Sequence, residues 1–386
     1  MRHVLALLLG SALAACGAST PRPADPSREV VTMEEMRIVA SSGGEGDLVL
    51  EAYDASQLFE RGNAALQRGE CREAVTRYYD RLVREFPSSR FVAPALYNAG
   101  LCLHELGALS DAVPYYEGVL ERAPQTRDGR HATLQLAQAL LGLERWEAAL
   151  RVAERGLLRE DLTEPERLEG LARRAQALLG LARFEDAERQ ARDALTYHRA
   201  LDRRGIAVEA YFPATANYVL AETMRMRSEA MELPAGTAEQ QHAVLDQRAR
   251  LVLDAQREYF NTIRHTNAEW AAAAGYRIGA MYDQLWQALM RAPIPPPDPG
   301  LDRSVVPIYE AEYRAELARH VRPLLRHAIR YWELTLMMVE RTGVRTEWAE
   351  RTRADLERMR ELLLEQTDPV VAPEPAPAAA AAGSGA

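Results

Sequence analysis

Leu96-Tyr97-Asn98-Ala99-Gly100-Leu101-Cys102-Leu103, followed by Ala112-Val113-Pro114-Tyr115-Tyr116 and then Pro124, is the stretch that decides the fold. A small residue inside one apolar-patterned segment, and a second twelve positions on (100 and 112), let two helices approach closely on either side of a short turn. The pairing recurs at Gly62 and Ala74, at Ala137 and Ala149, and at Ala175 and Ala187, each pair again twelve apart. The second members fall at 74, 112, 149 and 187, a period of 37 or 38 residues. Three positions before each stands an apolar side chain, Cys71, Leu109, Trp146 or Phe184, placed to cover the helix junction. Tyr78 and Tyr116 follow the small residue by four, about one helical turn, in the first two units; Ala153 and Ala191 replace them later. Generic Ala-rich amphipathic helices would put small residues on such a grid only rarely.

Helix pairs with small residues at these two places resemble tetratricopeptide repeats. The common unit has about 34 residues, and an extra turn lengthens a helix without rotating its buried face. The resemblance implies an all-α superhelix, a solenoid of antiparallel helix pairs, with four repeats over 51–200 and divergent helical repeats with insertions over 201–366. Composition agrees, because Ala, Leu, Arg and Glu dominate and strand signals are scarce. In the second half, Ala221 suits a fifth first helix and Ala255-x3-Tyr259 its partner. They stand 34 apart (221 to 255) instead of twelve, so an insertion is expected around 231–246. Ile278-Gly279-x2-Tyr282 suits a sixth first helix. Pro293-Ile294-Pro295-Pro296-Pro297 then stops helix and reads as an exposed, extended loop, before two closing helices near 308–342 and 346–365.

The N-terminus carries a targeting signal. Arg2 and His3 precede a short apolar run from Val4 to Leu9, and Leu13-Ala14-Ala15-Cys16 follows. The run suits a cleaved export signal over 1–15 better than a membrane span. The Leu-Ala-Ala-Cys ending resembles a lipobox, which implies lipidation of Cys16, and Gly17 in place of aspartate implies sorting to the outer membrane on its periplasmic face. Several acyl chains would hold the chain there stably. Residues 16–50, with Pro- and Ser-rich patches and Ser41-Ser42-Gly43-Gly44-Glu45-Gly46, read as a flexible linker arm, with Val30 to Val39 as a short strand or helix. Residues 367–386 read as a disordered Pro- and Ala-rich tail.

Arg84-Glu85-Phe86-Pro87-Ser88-Ser89 and Ala93-Pro94-Ala95-Leu96-Tyr97-Asn98-Ala99-Gly100 resemble the repeats of two envelope families. These are the BamD-like lipoproteins of outer-membrane β-barrel assembly and the periplasmic coordinators of cell division and envelope constriction. The all-arginine, Ala-rich second half is similar to repeat lipoproteins of myxobacterial gliding motility. These resemblances imply a membrane-anchored scaffold that binds other envelope proteins, with its oligomeric state open. A glycan- or nutrient-binding lipoprotein on a repeat framework is the alternative, although the five Trp are scattered at helical positions, as in a core.

Enzymatic signals are missing. All 47 basic residues are arginine, so lysine nucleophiles and Schiff bases are excluded. No phosphate loop, Gly-x-Ser-x-Gly elbow or His-Glu-x-x-His occurs, so no enzyme, cofactor or metal site is expected. His320 and His327 are seven apart on one helix, too far to share a metal alone. A net charge of −9 argues against nucleic acid. Asp and Glu spread among arginines read as a solvated face with i,i+4 pairs. Cys71 and Cys102 are either a disulfide in an oxidising compartment or two small buried apolar side chains.

The first helices of such an array build its concave face. Usual repeat geometry assigns Phe59, Asn63, Tyr97, Asn98, Leu101, His104, Gln138, Arg173 and Gln176 to that partner-binding groove, with Leu66 and Leu134 serving it or packing between repeats. An extended segment or helix of a partner suits these aromatic and amide side chains. Tyr97 either faces that partner or covers Tyr78 of the preceding repeat.

Overall fold

The structure, a computed structural model, describes residues 35–42, 48–297 and 300–365. The expected leader, Cys16 and the tail over 367–386 lie outside the described residues. Within them the chain is an all-α superhelix preceded by one β-hairpin. No described helix is long and apolar enough to cross a membrane.

Eight helices make the first four pairs. They are α1 Ala55–Gln67 with α2 over 71–85, α3 Val92–Glu105 with α4 Leu109–Arg122, α5 Arg127–Gly142 with α6 Trp146–Leu157, and α7 Glu164–Gly180 with α8 Phe184–Arg203. The four junction residues foreseen from the spacing each open a second helix. Ahead of them, Gly69, Gly107, Glu144 and Ala182 all adopt a left-handed backbone, with φ of 76°, 72°, 56° and 55°. Each donates its N–H to a carbonyl three residues back, closing the first helix. This shared turn produces the spacing of twelve. At Glu144 and Ala182 a side chain replaces glycine, at a steric cost of about 1–2 kcal/mol each. Helix starts are fixed by side-chain caps, among them Asp54, Thr126 and the capping box of Thr163 with Glu166.

All eight small residues of the grid are buried. A Cβ on Gly100 would stand 2.7 Å from Cε1 of Tyr116. In the first pair, however, the ring under Gly62 is Tyr79 and not Tyr78. The physical reason is a π segment, Ala74–Tyr79, which puts one extra residue into the turn. Tyr79 is fully buried there and Tyr78 sits on the rim. Between repeats, Leu109 seats against Gly142 and Trp146 against Gly180, so a junction residue covers the end of the next first helix.

The remaining pairs are α9 Tyr211–Glu229 with α10 Ala238–Arg264, and α11 Ala268–Arg291 with α12 Val306–Thr342. Ala221, Ala255 and Tyr259 are fully buried. Of the residues expected as an insertion around 231–246, 238–246 form the start of α10 and those before them the short connection from α9. In the sixth pair the ring over Gly279 is Trp332, four residues after buried Ala328, the same Ala-x3-aromatic spacing as 112 and 116. The last helix, α13 Glu347–Glu365, packs on α12 and α11 and closes the stack where a further first helix would stand.

Two expectations for irregular segments need correction. Part of the stretch read as a flexible arm is a hairpin, β1 Met36–Ser42 antiparallel to β2 Leu48–Asp54, with Arg37 opposite Tyr53. The apolar residues Met36, Ile38 and Leu50 of this hairpin are exposed, and Tyr53 is its one buried side chain among the described residues. Buried Tyr53 meets Phe86 edge-on at 6.1 Å, donates a hydrogen bond to Glu85 at 2.5 Å and lies under Arg81 at 4.0 Å. The Pro-rich stretch is non-helical, as expected, but it is tethered and not freely exposed. Pro295 is buried, its carbonyl accepts from Tyr309 at 3.0 Å, and the Pro293 carbonyl accepts from Gln241 at 2.7 Å.

Candidate partner-binding face

The face offered by α1, α3, α5 and α7 is built from rungs that join residues one repeat apart. Asn98 Nδ2 donates to Asn63 Oδ1 at 2.8 Å, and the same oxygen accepts from Tyr79 at 2.8 Å. Arg173 donates to Gln138 Oε1 at 2.9 Å, and Arg130 donates to Glu166 at 3.1 Å. These bonds fix the register between successive first helices. They also leave Asn63 Nδ2 and Asn98 Oδ1 without a protein partner among the described residues.

The sequence-predicted groove residues fall into two sets. Phe59, Asn63, Tyr97, Asn98, Leu101, His104, Gln138 and Gln176 are all half-buried, as a binding face requires. Phe59 stacks on Phe91 at 5.3 Å. Tyr97 meets Tyr116 at 6.2 Å and His131 at 6.0 Å, so it covers its own repeat and reaches toward the following one, not back to Tyr78. His104 Nδ1 lies 3.5 Å from the Tyr116 hydroxyl. Burial, then Arg173, hold His104 below its ordinary value against the pull of Glu105, so the ring is neutral at pH 7.

Arg173 departs from the expectation. It is 6% exposed, pairs with Glu169 at 2.5 Å and lies over the Phe212 ring at 5.8 Å. Its Nε and Nη1 are buried without a hydrogen-bond partner. It is the floor of the face and not a contact residue, because Phe212 of α9 closes over it. Leu134 is likewise buried as packing. His131 was missed, although it lies one heptad before Gln138 on the same helix face; it sits 3.4 Å from Glu166 and against Tyr97.

Cys71 and Cys102 are free, buried thiols side by side, so the pair is not a disulfide in this structure. Burial pushes both thiols up, which keeps them protonated and in the role of small core side chains. No group of three or more His, Cys, Asp or Glu among the described residues could hold a metal ion. His320 is exposed beside Glu316, and His327 stacks on Tyr282 at 5.2 Å.

The first two helix pairs coincide with a known repeat family. Residues 59–126 match the tetratricopeptide-repeat family model. No curated protein matches the chain. Among solved structures, a tetratricopeptide repeat protein from Parabacteroides merdae is 16% identical, with 81% of this chain and 99% of that one covered and a TM-score of 0.37. MamA from Desulfovibrio magneticus is 16% identical over 56% of this chain and 98% of its own, with a TM-score of 0.36. A Rap protein complexed with Competence and Sporulation Factor is 12% identical, covers 81% and 99%, and has a TM-score of 0.34. Similarity at this level does not extend to function.

Proposed function

We propose that the chain is a scaffold of the cell envelope that holds a partner protein on its first-helix face while a lipid at Cys16 anchors it to the outer membrane. The observation that carries the binding half is the row of half-buried aromatic and amide side chains across α1 and α3, held in register by the Asn63–Asn98 bond. A preorganised face loses little side-chain entropy on binding, and aromatic anchors commonly contribute ~2 kcal/mol or more to an interface. The tetratricopeptide match falls on this same segment. The anchoring half rests on Leu13-Ala14-Ala15-Cys16. Barrel assembly, envelope constriction and motility are the machines this reading offers. The glycan-binding alternative gains nothing from the tryptophans, all five of which are buried or half-buried.

Photo-crosslinking in cells from position 97 is expected to capture a discrete partner, while a probe at exposed Leu158 on the loop side captures none. With the probe kept at 97, Phe59→Ala with Asn98→Ala should abolish that capture with the circular-dichroism spectrum preserved. Equal capture from both positions would place the partner elsewhere. For the anchor, a fatty-acid probe is expected to label the wild-type chain and to fail on Cys16→Ala. Labelling that survives the substitution would remove Cys16 as the lipid site.

A further inference from the structure

On the opposite face, second helices α8 and α10 wall a cleft of about 530 Å³ whose floor is α9. We propose that this cleft is a second docking site, which takes the carboxylates of an acidic peptide segment from a protein partner. The site is independent of the first-helix face.

The charges at the cleft matter most. Some arginines of α8 and α10 are neutralised by a carboxylate three or four residues back, as in Arg189 with Asp186, Arg192 with Glu188 and Arg257 with Asp254. Arg199 and Arg264, which line the cleft, are not. Arg199 bonds only the Thr196 hydroxyl at 3.0 Å and Arg264 the Asn261 side-chain amide oxygen, both uncharged. Neither has a carboxylate within ion-pair distance among the described residues, and both are exposed at the cleft. In a chain of net charge −9, two such guanidinium groups facing one cavity form a local reversal of sign.

The rest of the lining is fixed. Glu258, the one carboxylate of the lining, already accepts from Asn217 at 2.8 Å and from Asn261 at 2.9 Å. Asn217 is buried, and its side-chain Oδ1 lies 2.8 Å from His265 Nε2. His198 and His265 face each other at 5.7 Å. Burial, then His198 and Arg264, push His265 down to about 4, and burial also lowers His198. The cationic charge at neutral pH is therefore that of the arginines.

Size and polarity select the ligand. A cleft of this volume far exceeds one oxyanion, and Leu195 and Leu220 give it apolar ground for a peptide's aliphatic side chains. A single exposed charge pair adds little affinity, so useful binding needs both arginines engaged at once by a segment bearing several carboxylates.

The test is fluorescence anisotropy of the full chain with a labelled peptide of alternating Glu and Leu, and with its Lys counterpart. The Glu peptide is expected to bind, the Lys peptide not to bind, and added salt to weaken binding. Arg199→Glu with Arg264→Glu should weaken it at least tenfold, and the milder Arg199→Gln with Arg264→Gln should weaken it in the same direction. Tyr97→Ala should leave it unchanged, which separates this site from the first-helix face. Binding that ignores both arginine pairs, or that inorganic phosphate displaces at equal concentration, overturns the proposal.

Discussion

Glu222→Ala is expected to destabilise the second half of the chain by about 3–5 kcal/mol, the cost of leaving buried charge without its partner. Glu222 on α9 is 4% exposed and joins three helices through one carboxylate. Arg225 of the same helix donates to it twice, at 2.8 and 3.2 Å; Tyr259 of α10 donates its hydroxyl, and Arg277 of α11 approaches to 3.2 Å. Burial alone would raise the Glu222 carboxyl, but Arg225 and Arg277 outweigh it and hold the group below its ordinary value. With Glu229 on the far side of Arg225, two carboxylates balance two guanidinium groups. Removing Glu222 leaves an excess cation between buried Arg225 and the three-quarters-buried side chain of Arg277. By contrast, removing Asp186, which pairs with exposed Arg183 and Arg189, should change stability little. A repeat array loses stability locally, through the units that contact the altered one. Hydrogen exchange should therefore quicken across α9, α10 and α11 while α1 to α6 hold their protection. Unchanged exchange in α9 to α11 would show that the network contributes nothing to stability. Replacing Glu222, Arg225 and Arg277 together by Leu, Met and Met should recover much of the loss, since an apolar set of similar volume avoids desolvating charge.

That network was invisible in the sequence for a physical reason. Glu222 and Arg225 have the same i,i+3 spacing as Asp186 and Arg189, and spacing alone cannot tell a buried pair from a solvated one. Arg173 was misplaced in the same way: its helix face was right, but Phe212, 39 positions on (173 to 212), decides that it is covered. What was legible depends on short range. The small-residue grid is fixed by one turn conformation repeated at 69, 107, 144 and 182, so helix pairs can be counted from spacing alone. A single π segment defeats that count by one residue and exchanges Tyr78 for Tyr79. The Gly279–Trp332 contact escaped because a Pro-rich connection separates its two helices by more than the grid allows. The small residues set the phase of each first helix, which is what placed the nine groove candidates on one side; eight of them are half-buried. The cleft between α8 and α10 needs helices from successive repeats, and no motif within either one announces it.

Gly100→Leu should force α3 and α4 apart and cost about 3 kcal/mol, at the upper end of the usual penalty for overpacking. Even a bare Cβ at position 100 would stand 2.7, 2.9 and 3.0 Å from three ring atoms of Tyr116, closer than real side chains approach. The ring cannot yield, because it is fully buried, with Tyr97 tilted against it at 6.2 Å and His104 beside its hydroxyl. Leucine adds three more carbons to that collision, so the helices must separate and uncover Ala99 and Ala112, both now fully buried. Gly62→Leu should behave alike through Tyr79. Tyr116→Ala alone should also destabilise, by ~3–5 kcal/mol, since it removes a large buried ring. The two losses share one volume. The double variant should therefore fall well short of their sum, with a coupling of about 1–3 kcal/mol recovered as the leucine occupies the vacated space. Thermal melts of the four proteins supply the cycle. A Gly100→Leu chain that melts with wild-type chain, or additive losses in the double variant, would mean that the closest approach of α3 and α4 lies somewhere other than Gly100 and Tyr116.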